Sequence, residues 1–501
     1  MKMAYHGAPP SYGDGDPVFA LATPLGESAL ALFRTSGGGG AGEDGQNAGA
    51  GTLDLLARIF SRPEALLAAP PNSLVHGWIV APEKIDEVIV SVYRAPRSYT
   101  GEDGADISCH GGIAVVRAVM AALKKAGFRE ALPGEFTFRA FMNGKMDLTR
   151  AESVMELVAA KTNRSREQAV RRLAGALEKE VSAIKTMLVD VLAGTEIYLD
   201  YSEDEFAVAS NEEAEGRLPE RRLAEEAARR LKVLAELWRR ERIYTEGALA
   251  VLAGRPNAGK SSLFNFLIRE DRSIVTDAPG TTRDWIEALI SVEDIPLRLA
   301  DTAGLRGSGQ GDEAERIGIQ RSLELLDKAD LVLYVIDGTD GITDADRGFI
   351  LSRKDAAPQK PLLLLWNKTD IAPLPAAGER ESSGDLLGES PGQLLAVSAR
   401  TGEGIPSLIS SIAGLLESAS CEITGLSGQD AAAPGAIRQK ELIDTALASV
   451  EEALALADHD EPLDIIAPLF HSAINALGEI TGEVSSADIL EAMFSRFCVG
   501  K

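Results

Sequence analysis

The chain is 501 residues long, room for about three domains at roughly 150 residues each, and its 76 acidic residues against 51 basic ones leave a net charge of −25. That balance excludes broad nonspecific nucleic-acid binding, which needs a basic surface for phosphate contacts, so any RNA must be held by a local patch or a basic partner. Three cysteines far apart in sequence, Cys109, Cys421 and Cys498, argue against a disulfide framework or a cysteine zinc site. With no basic-then-apolar leader over Met1 to Tyr12 and no apolar run near the ~18 residues of a membrane span, a soluble, cytoplasmic protein without membrane association is expected.

Residues 1–130 alternate short strand-like pieces (Val18 to Ala22, Ala29 to Arg34, Val75 to Val80, Glu87 to Tyr93, Ala105 to Cys109) and end in a helix from Ile113 to Ala126, which predicts an α+β domain. The Gly/Ala-rich tract from Ser36 to Gly51 reads as a loop, because no strand–helix context frames it as a phosphate cradle. Over 131–246 helical periodicity dominates, interrupted at Pro219, and the alternating charges from Arg221-Arg222 to Arg239-Arg240 read as a solvated helix face, with a nucleic-acid surface as the sharper alternative. Residues 247–420 return to βα alternation, with a polar insertion from Pro373 to Gly392, and 421–501 are helical again through Ile437 to Ala457 and Ile465 to Leu477. A discontinuous all-α domain is therefore expected, with an α/β module inserted between its halves and hinges near Gly247 and near Cys421 to Gly428.

The inserted module carries the chemistry. Gly254-Arg255-Pro256-Asn257-Ala258-Gly259-Lys260-Ser261 matches the phosphate loop G-x-x-x-x-G-K-[ST], between a strand-like run, Ala248 to Ala253, and a helix opening Ser261-Ser262. Asp301-Thr302-Ala303-Gly304 follows the run Ile295 to Ala300 as D-x-x-G, its Asp reaching Mg²⁺ through water and its Gly N–H meeting the γ-phosphate. Upstream, Thr276-Asp277-Ala278-Pro279-Gly280-Thr281-Thr282 forms the matching loop, and Thr282 joins Ser261 as a hydroxyl ligand of the metal. Asn367-Lys368-Thr369-Asp370 fits N-K-x-D, where the carboxylate accepts the guanine N1–H and amine that adenine cannot offer together, and Ser398-Ala399-Arg400 fits the element that meets guanine O6. Taken alone, each is an ordinary turn; five in order, each after a strand-like run, read as a Ras-like P-loop GTPase unit binding GTP and Mg²⁺.

Outside that module lie Leu32-Phe33-Arg34-Thr35-Ser36-Gly37, Ser98-Tyr99-Thr100-Gly101-Glu102-Asp103, Cys109-His110-Gly111-Gly112, Pro133-Gly134-Glu135-Phe136-Thr137, Phe141-Met142-Asn143-Gly144-Lys145-Met146-Asp147-Leu148, Leu477-Gly478-Glu479-Ile480-Thr481-Gly482-Glu483 and the end Cys498-Val499-Gly500-Lys501. In these blocks the chain resembles the MnmE (TrmE) family of tRNA-modification GTPases, over everything but the insertions. The resemblance implies a tetrahydrofolate-binding-like N-terminal domain (1–130) that also dimerises, a helical domain in two parts (131–246 and 421–501) and an inserted G domain (247–420). It implies a homodimer that works with an FAD-containing MnmG (GidA) partner, in a heterotetramer or larger complex. Its reaction would add an aminomethyl or carboxymethylaminomethyl group to carbon 5 of the wobble uridine of certain tRNAs, with a one-carbon unit from 5-formyl- or methylene-tetrahydrofolate.

The resemblance further implies folate contacts by Arg34, Glu102, Lys145 and Lys501, in keeping with a glutamate tail that favours cations and a pterin that donates to a carboxylate. The turn Leu25-Gly26-Glu27-Ser28-Ala29 departs from the family's Gly/Arg-rich run, and His110-Gly111-Gly112 reads as a structural turn rather than a metal site. Cys498 is open between a buried small residue and a reactive thiol beside Arg496 and Lys501. Leu305 stands where Ras-type enzymes carry a water-orienting Gln, and the family pattern gives that role to Glu315; it also implies a K⁺ ion held by Asn257, Thr276, Ala278 and Thr281 in place of an arginine finger. Lys260, Thr282 and Gly304 complete the expected hydrolytic set. The competing reading is a nucleotide-dependent ribosome-assembly or stress-response switch with no modification activity.

Overall fold

The structure, a computed structural model, describes residues 12, 15–38, 51–200, 218–245, 247–270, 287–301, 324–356, 360–375, 394–419, 433–484, 487–495 and 497–500. They fall into two compact units, one formed by 1–155, 172–229 and 441–501, the other by 156–171 and 230–440.

The first unit is built on a six-stranded sheet of β1 (Val18–Leu21), β2 (Ser28–Ser36), β3 (Ser73–Val80), β4 (Lys84–Tyr93), β5 (Gly104–Gly111) and β6 (Arg129–Glu130), in the order β3-β4-β5-β2-β1-β6. All neighbours are antiparallel except β1 and β6. In β3 and β4 buried residues alternate with exposed or half-buried ones, the signature of an antiparallel sheet with one face on a core. That face is covered by α1 (Thr52–Ala57) and α3 (Ile113–Ala126), whose buried residues Val116, Val119, Leu123 and Ala126 recur at helical spacing against Phe19, Phe33, Ile79 and Ile107. A second cluster forms where α4 (Glu135–Met142) meets α14 (Ala487–Phe494): Phe138 and Phe494 pack edge to face at 5.4 Å, with Phe141, Leu148, Leu490 and Phe497 around them. The long helices α7 (Ala176–Asp200) and α13 (Leu463–Thr481) pack against each other in the same unit.

The second unit holds a sheet of β7 (Ala248–Gly254), β8 (Glu287–Val292), β9 (Ile295–Asp301), β10 (Leu331–Asp337), β11 (Leu362–Asn367) and β12 (Leu394–Ala396), ordered β12-β11-β10-β7-β9-β8. Five strands are parallel and only β8 runs against β9. β10 and β11 are buried along their whole length, as strands with both faces covered must be. After β7 the chain first extends the sheet to one side, through β8 and β9, and then to the other, through β10 to β12, so the carboxyl end of β7 is the switch point at which such sheets bind ligands.

The expected α+β and α/β architecture is present, as are the strands and helices anticipated from periodicity. β6, β8 and β10 were not anticipated. His110 corrects an expectation: it lies within β5, paired with Leu30 of β2, and is not a turn residue. Among the described residues no helix is long and apolar enough to cross a membrane. Gly247, near one expected hinge, has φ +82°, while the other, Cys421 to Gly428, lies outside the described residues.

Candidate functional site

At the end of β7 the chain enters the phosphate loop. Gly254 has φ +138° and a side-chain carbon there would stand 2.3 Å from the Val335 carbonyl oxygen of β10; Gly259 has φ +95° and would place one 2.1 Å from the Asn367 amide nitrogen. The two glycines of the motif thus let the loop turn against its neighbours, and Asn257 takes the left-handed conformation between them at φ +64°, with an exposed side chain. α9 (Lys260–Glu270) then begins. The Lys260 ammonium donates to the carbonyls of Gly254 (2.8 Å) and Arg255 (2.7 Å), so it is bent back over the mouth of the loop. The Ser261 hydroxyl donates to Asp301 Oδ2 at 2.8 Å, bringing together a hydroxyl and a carboxylate, the hard oxygen donors that suit Mg²⁺.

A cavity of about 700 Å³ opens beside this loop, lined among others by Gly259, Phe266, Asn367, Lys368, Asp370 and Arg400. Its corner is tied to the phosphate loop by Asn367, whose amide donates to the Ala258 carbonyl (2.8 Å) and accepts from the Ala399 N–H (3.1 Å). Lys368, held at φ +67°, pairs with Asp337 at 2.5 Å, and that pair orients its aliphatic stem. Asp370 accepts from the Ser398 hydroxyl on Oδ1 (2.7 Å) and pairs with Arg400 through Oδ2 (2.5 Å). The Ser398 bond, with the Arg400 charge, holds its carboxyl below the usual range, so it is ionised and purely an acceptor at neutral pH. Arg400 is largely exposed, whereas the Asp370 side chain is mostly covered.

Asn257, Ala258, Gly259, Lys260, Ser261, Ser262, Asp301, Asn367, Lys368, Thr369, Asp370, Ser398, Ala399 and Arg400 therefore all stand at or near the carboxyl ends of this sheet. Thr276 to Thr282, Thr302 to Leu305 and Glu315 lie outside the described residues, as do Arg496 and Lys501.

In the first unit a second polar cluster surrounds Arg34 and Glu102. Arg34 lies 3.6 Å from Asp106, donates to the Gly500 carbonyl at 3.4 Å and stands over the Tyr99 ring at 5.8 Å. Two residues along β2, on the same face, the Ser36 hydroxyl donates to Glu102 Oε2 at 2.8 Å, and Arg139 reaches the same oxygen at 3.0 Å. Glu102 thus has one oxygen committed to the protein. Arg139 also meets Glu135 at 2.8 Å, and Glu135 in turn receives two bonds from Arg129, at 2.7 and 3.1 Å. Lys145 donates to the Pro96 carbonyl at 2.8 Å. Cys498 is exposed, which sets aside its reading as a buried small residue, whereas Cys109 is buried and its thiol is pushed up to about 11 by that burial. His110 is bound to Asp86 through Nδ1 (2.8 Å) and through its N–H (2.7 Å), a tie between strands. Among the described residues no three His, Cys, Asp or Glu side chains group as a metal site.

Arg139, Ser36, Asp106 and Asp337 were missed in the sequence. Arg139 alone left a signal: a Glu and an Arg four residues apart in a helix otherwise carrying Phe136, Phe138 and Phe141 mark an ion pair facing inward.

Two family models match this chain, "GTP-binding protein TrmE N-terminus" over residues 17–145 and "MnmE helical domain" over residues 148–498. The tRNA modification GTPase MnmE of Treponema denticola is 41% identical over 500 residues, covering 98% of this chain and 99% of its own. Those of Borreliella burgdorferi strain ZS7 (38%; 97% of this chain, 98% of its own) and Carboxydothermus hydrogenoformans (36%; 97% and 99%) are similar over the same span. Among solved structures, a probable GTP-binding protein engB aligns with 34% of this chain and 100% of its own, at 21% identity and a TM-score of 0.26. The chain belongs to the MnmE family of tRNA modification GTPases.

Proposed function

We propose that this GTPase modifies carbon 5 of the wobble uridine of certain tRNAs, as a cytoplasmic homodimer with an FAD-containing MnmG (GidA) partner in a heterotetramer or larger complex, drawing a one-carbon unit from 5-formyl- or methylene-tetrahydrofolate. The domains are 1–130, 131–246, 247–420 and 421–501. The observation that supports the folate step is the cluster in the first unit, where Arg34, on the second strand, meets the Gly500 carbonyl near the far end of the chain, with the exposed Cys498 two residues away. A cation at Arg34 and a half-committed carboxylate at Glu102 suit a ligand with an anionic tail and a ring that donates hydrogen bonds. Lys145 and Lys501 would add charge for the tail. The test is nucleoside analysis of tRNA from cells lacking the gene, complemented with wild type or with Arg34→Ala. Wild type should restore the modified uridine and Arg34→Ala should not, although its purified form still turns over GTP; unmodified uridine absent from the null strain sinks the reading.

For hydrolysis, the Lys260 ammonium, held at the loop by the Gly254 and Arg255 carbonyls, would meet a phosphate oxygen. Backbone N–H groups from Asn257 to Ser262 would receive the phosphates, and Asn367, Thr369, Asp370, Ser398, Ala399 and Arg400 the base. Ser261, with Thr282 and Asp301 through water, would hold Mg²⁺, which neutralises charge developing on the phosphates. Glu315 would orient the attacking water through a bridging water, and the Gly304 N–H would meet the γ-phosphate. The exposed amide of Asn257, with Thr276, Ala278 and Thr281, would hold K⁺ where other GTPases receive an arginine. Turnover measured in K⁺ should exceed that in Na⁺ by about tenfold or more, since arginine fingers at this position are worth roughly 10³ to 10⁵. Equal rates in the two salts would remove K⁺ from the scheme.

A further inference from the structure

One buried carboxylate beside the phosphate loop belongs to none of the nucleotide motifs. Asp346, near the start of α10 (Asp344–Ala356), has no exposed surface. It accepts from the Thr343 N–H (2.8 Å), the Thr343 hydroxyl (2.7 Å), the Tyr334 hydroxyl (2.8 Å) and the Arg255 Nε (3.2 Å). Burial alone pushes its carboxyl up, but the two Thr343 donors, the Tyr334 hydroxyl and the Arg255 charge outweigh it and hold it below the usual range. Tyr334 is itself fixed by stacking on Phe349 at 4.6 Å.

The direction of this network matters. A desolvated carboxylate is a costly component, and a simple helix cap at Thr343 does not require the cation as well. That cation is Arg255, the residue after the first glycine of the phosphate loop; its carbonyl is one of the two that hold the Lys260 ammonium, at 2.7 Å, and its Nη1 lies 3.3 Å from Asp340. Side chain and carbonyl of one residue thus connect a rigid buried anion to the ammonium that meets the phosphates.

We infer that Asp346 is a positioning residue for GTP hydrolysis, acting through Arg255 to set where the Lys260 ammonium stands. The inference rests on the GTPase activity of the family and is independent of the folate and potassium readings. Asp346→Asn keeps the volume and still accepts from Thr343, but offers Arg255 no charge. In the full-length protein, kcat/KM for GTP should fall about tenfold in Asp346→Asn and in Arg255→Ala, mostly through KM, because Lys260 meets the phosphates before as well as during the reaction. The double variant should lose no more than Arg255→Ala alone, and Arg255→Lys should recover part of the loss. A lower melting temperature with unchanged KM, or losses that multiply in the double variant, would make Asp346 merely structural and overturn the inference. Should Asp346→Asn not fold, Tyr334→Phe removes one donor and keeps the charge: a KM raised about threefold supports the inference, and an unchanged KM counts against it.

Discussion

Asp370→Asn is expected to weaken GTP binding by about 10³-fold or more and to turn the preference toward xanthosine triphosphate. The carboxylate is built as an acceptor: Ser398 fixes one oxygen at 2.7 Å, and among the described residues the exposed Arg400 pairs with the other. Guanine brings two donors to that edge, so an amide, with one acceptor and one donor group, leaves a buried donor unanswered and adds a repulsive contact. Sites that rely on buried hydrogen bonds reject a mismatched partner by roughly 10⁴ to 10⁵, and a partly open corner should give a lower figure. Xanthine, with an oxygen in place of the amine, restores the complement. Competition of GTP and xanthosine triphosphate for a fluorescent nucleotide measures both halves. A variant that still prefers GTP would mean that Asp370 does not read the base.

The second large effect is in the other unit. Arg139→Met should destabilise it by about 3 kcal/mol, toward the lower end for breaking a buried pair because Arg129 still partners Glu135. The loss arises from what is left behind: Glu135, fully buried, and Glu102 each lose a charged donor, and the Asp16 carbonyl loses its bond at 2.8 Å. In the wild type, burial pushes the Glu135 carboxyl up, but Arg129, the Leu132 N–H and Arg139 pull it down further, so its net position is lowered. A lowered carboxyl contributes stability above its unfolded value near 4.5, and that contribution is lost as the pH falls through the folded value. The variant's deficit should therefore be full at pH 7 and shrink below about pH 4. Hydrogen exchange should place it in residues 16–142, with GTP binding in the second unit unaltered; a deficit that does not change with pH would assign it to lost packing instead.

How far such sites can be read from sequence differs between the two units. The nucleotide corner was legible because each element is short, contiguous and placed at the end of an apolar run: Ala248–Gly254, Ile295–Asp301 and Leu362–Asn367 announce themselves as buried strands and begin each motif at their last residue. What escaped was the part that depends on distant residues. Lys368 finds Asp337, 31 residues away, and Arg139 finds Glu102, 37 residues away, so neither spacing nor periodicity carries the pairing. β6 has two residues and exists only because β1 is there to receive it. The error at His110 has a physical cause as well. The adjacent glycine looked like turn chemistry, yet Gly111 is a ladder residue opposite Ser28, where a side-chain carbon would stand 2.4 Å from the Ser28 carbonyl oxygen. Close approach of two strands demands glycine as firmly as a bend does.

The bond from Arg34 to the Gly500 carbonyl joins positions 466 residues apart. At a synthesis rate of ~5–20 residues per second, Arg34 is made roughly 25 to 90 seconds before its Gly500 partner. During that interval the sheet must hold its shape without the closing contact, and premature release of the chain would yield a fragment in which Arg34 has never met the Gly500 carbonyl.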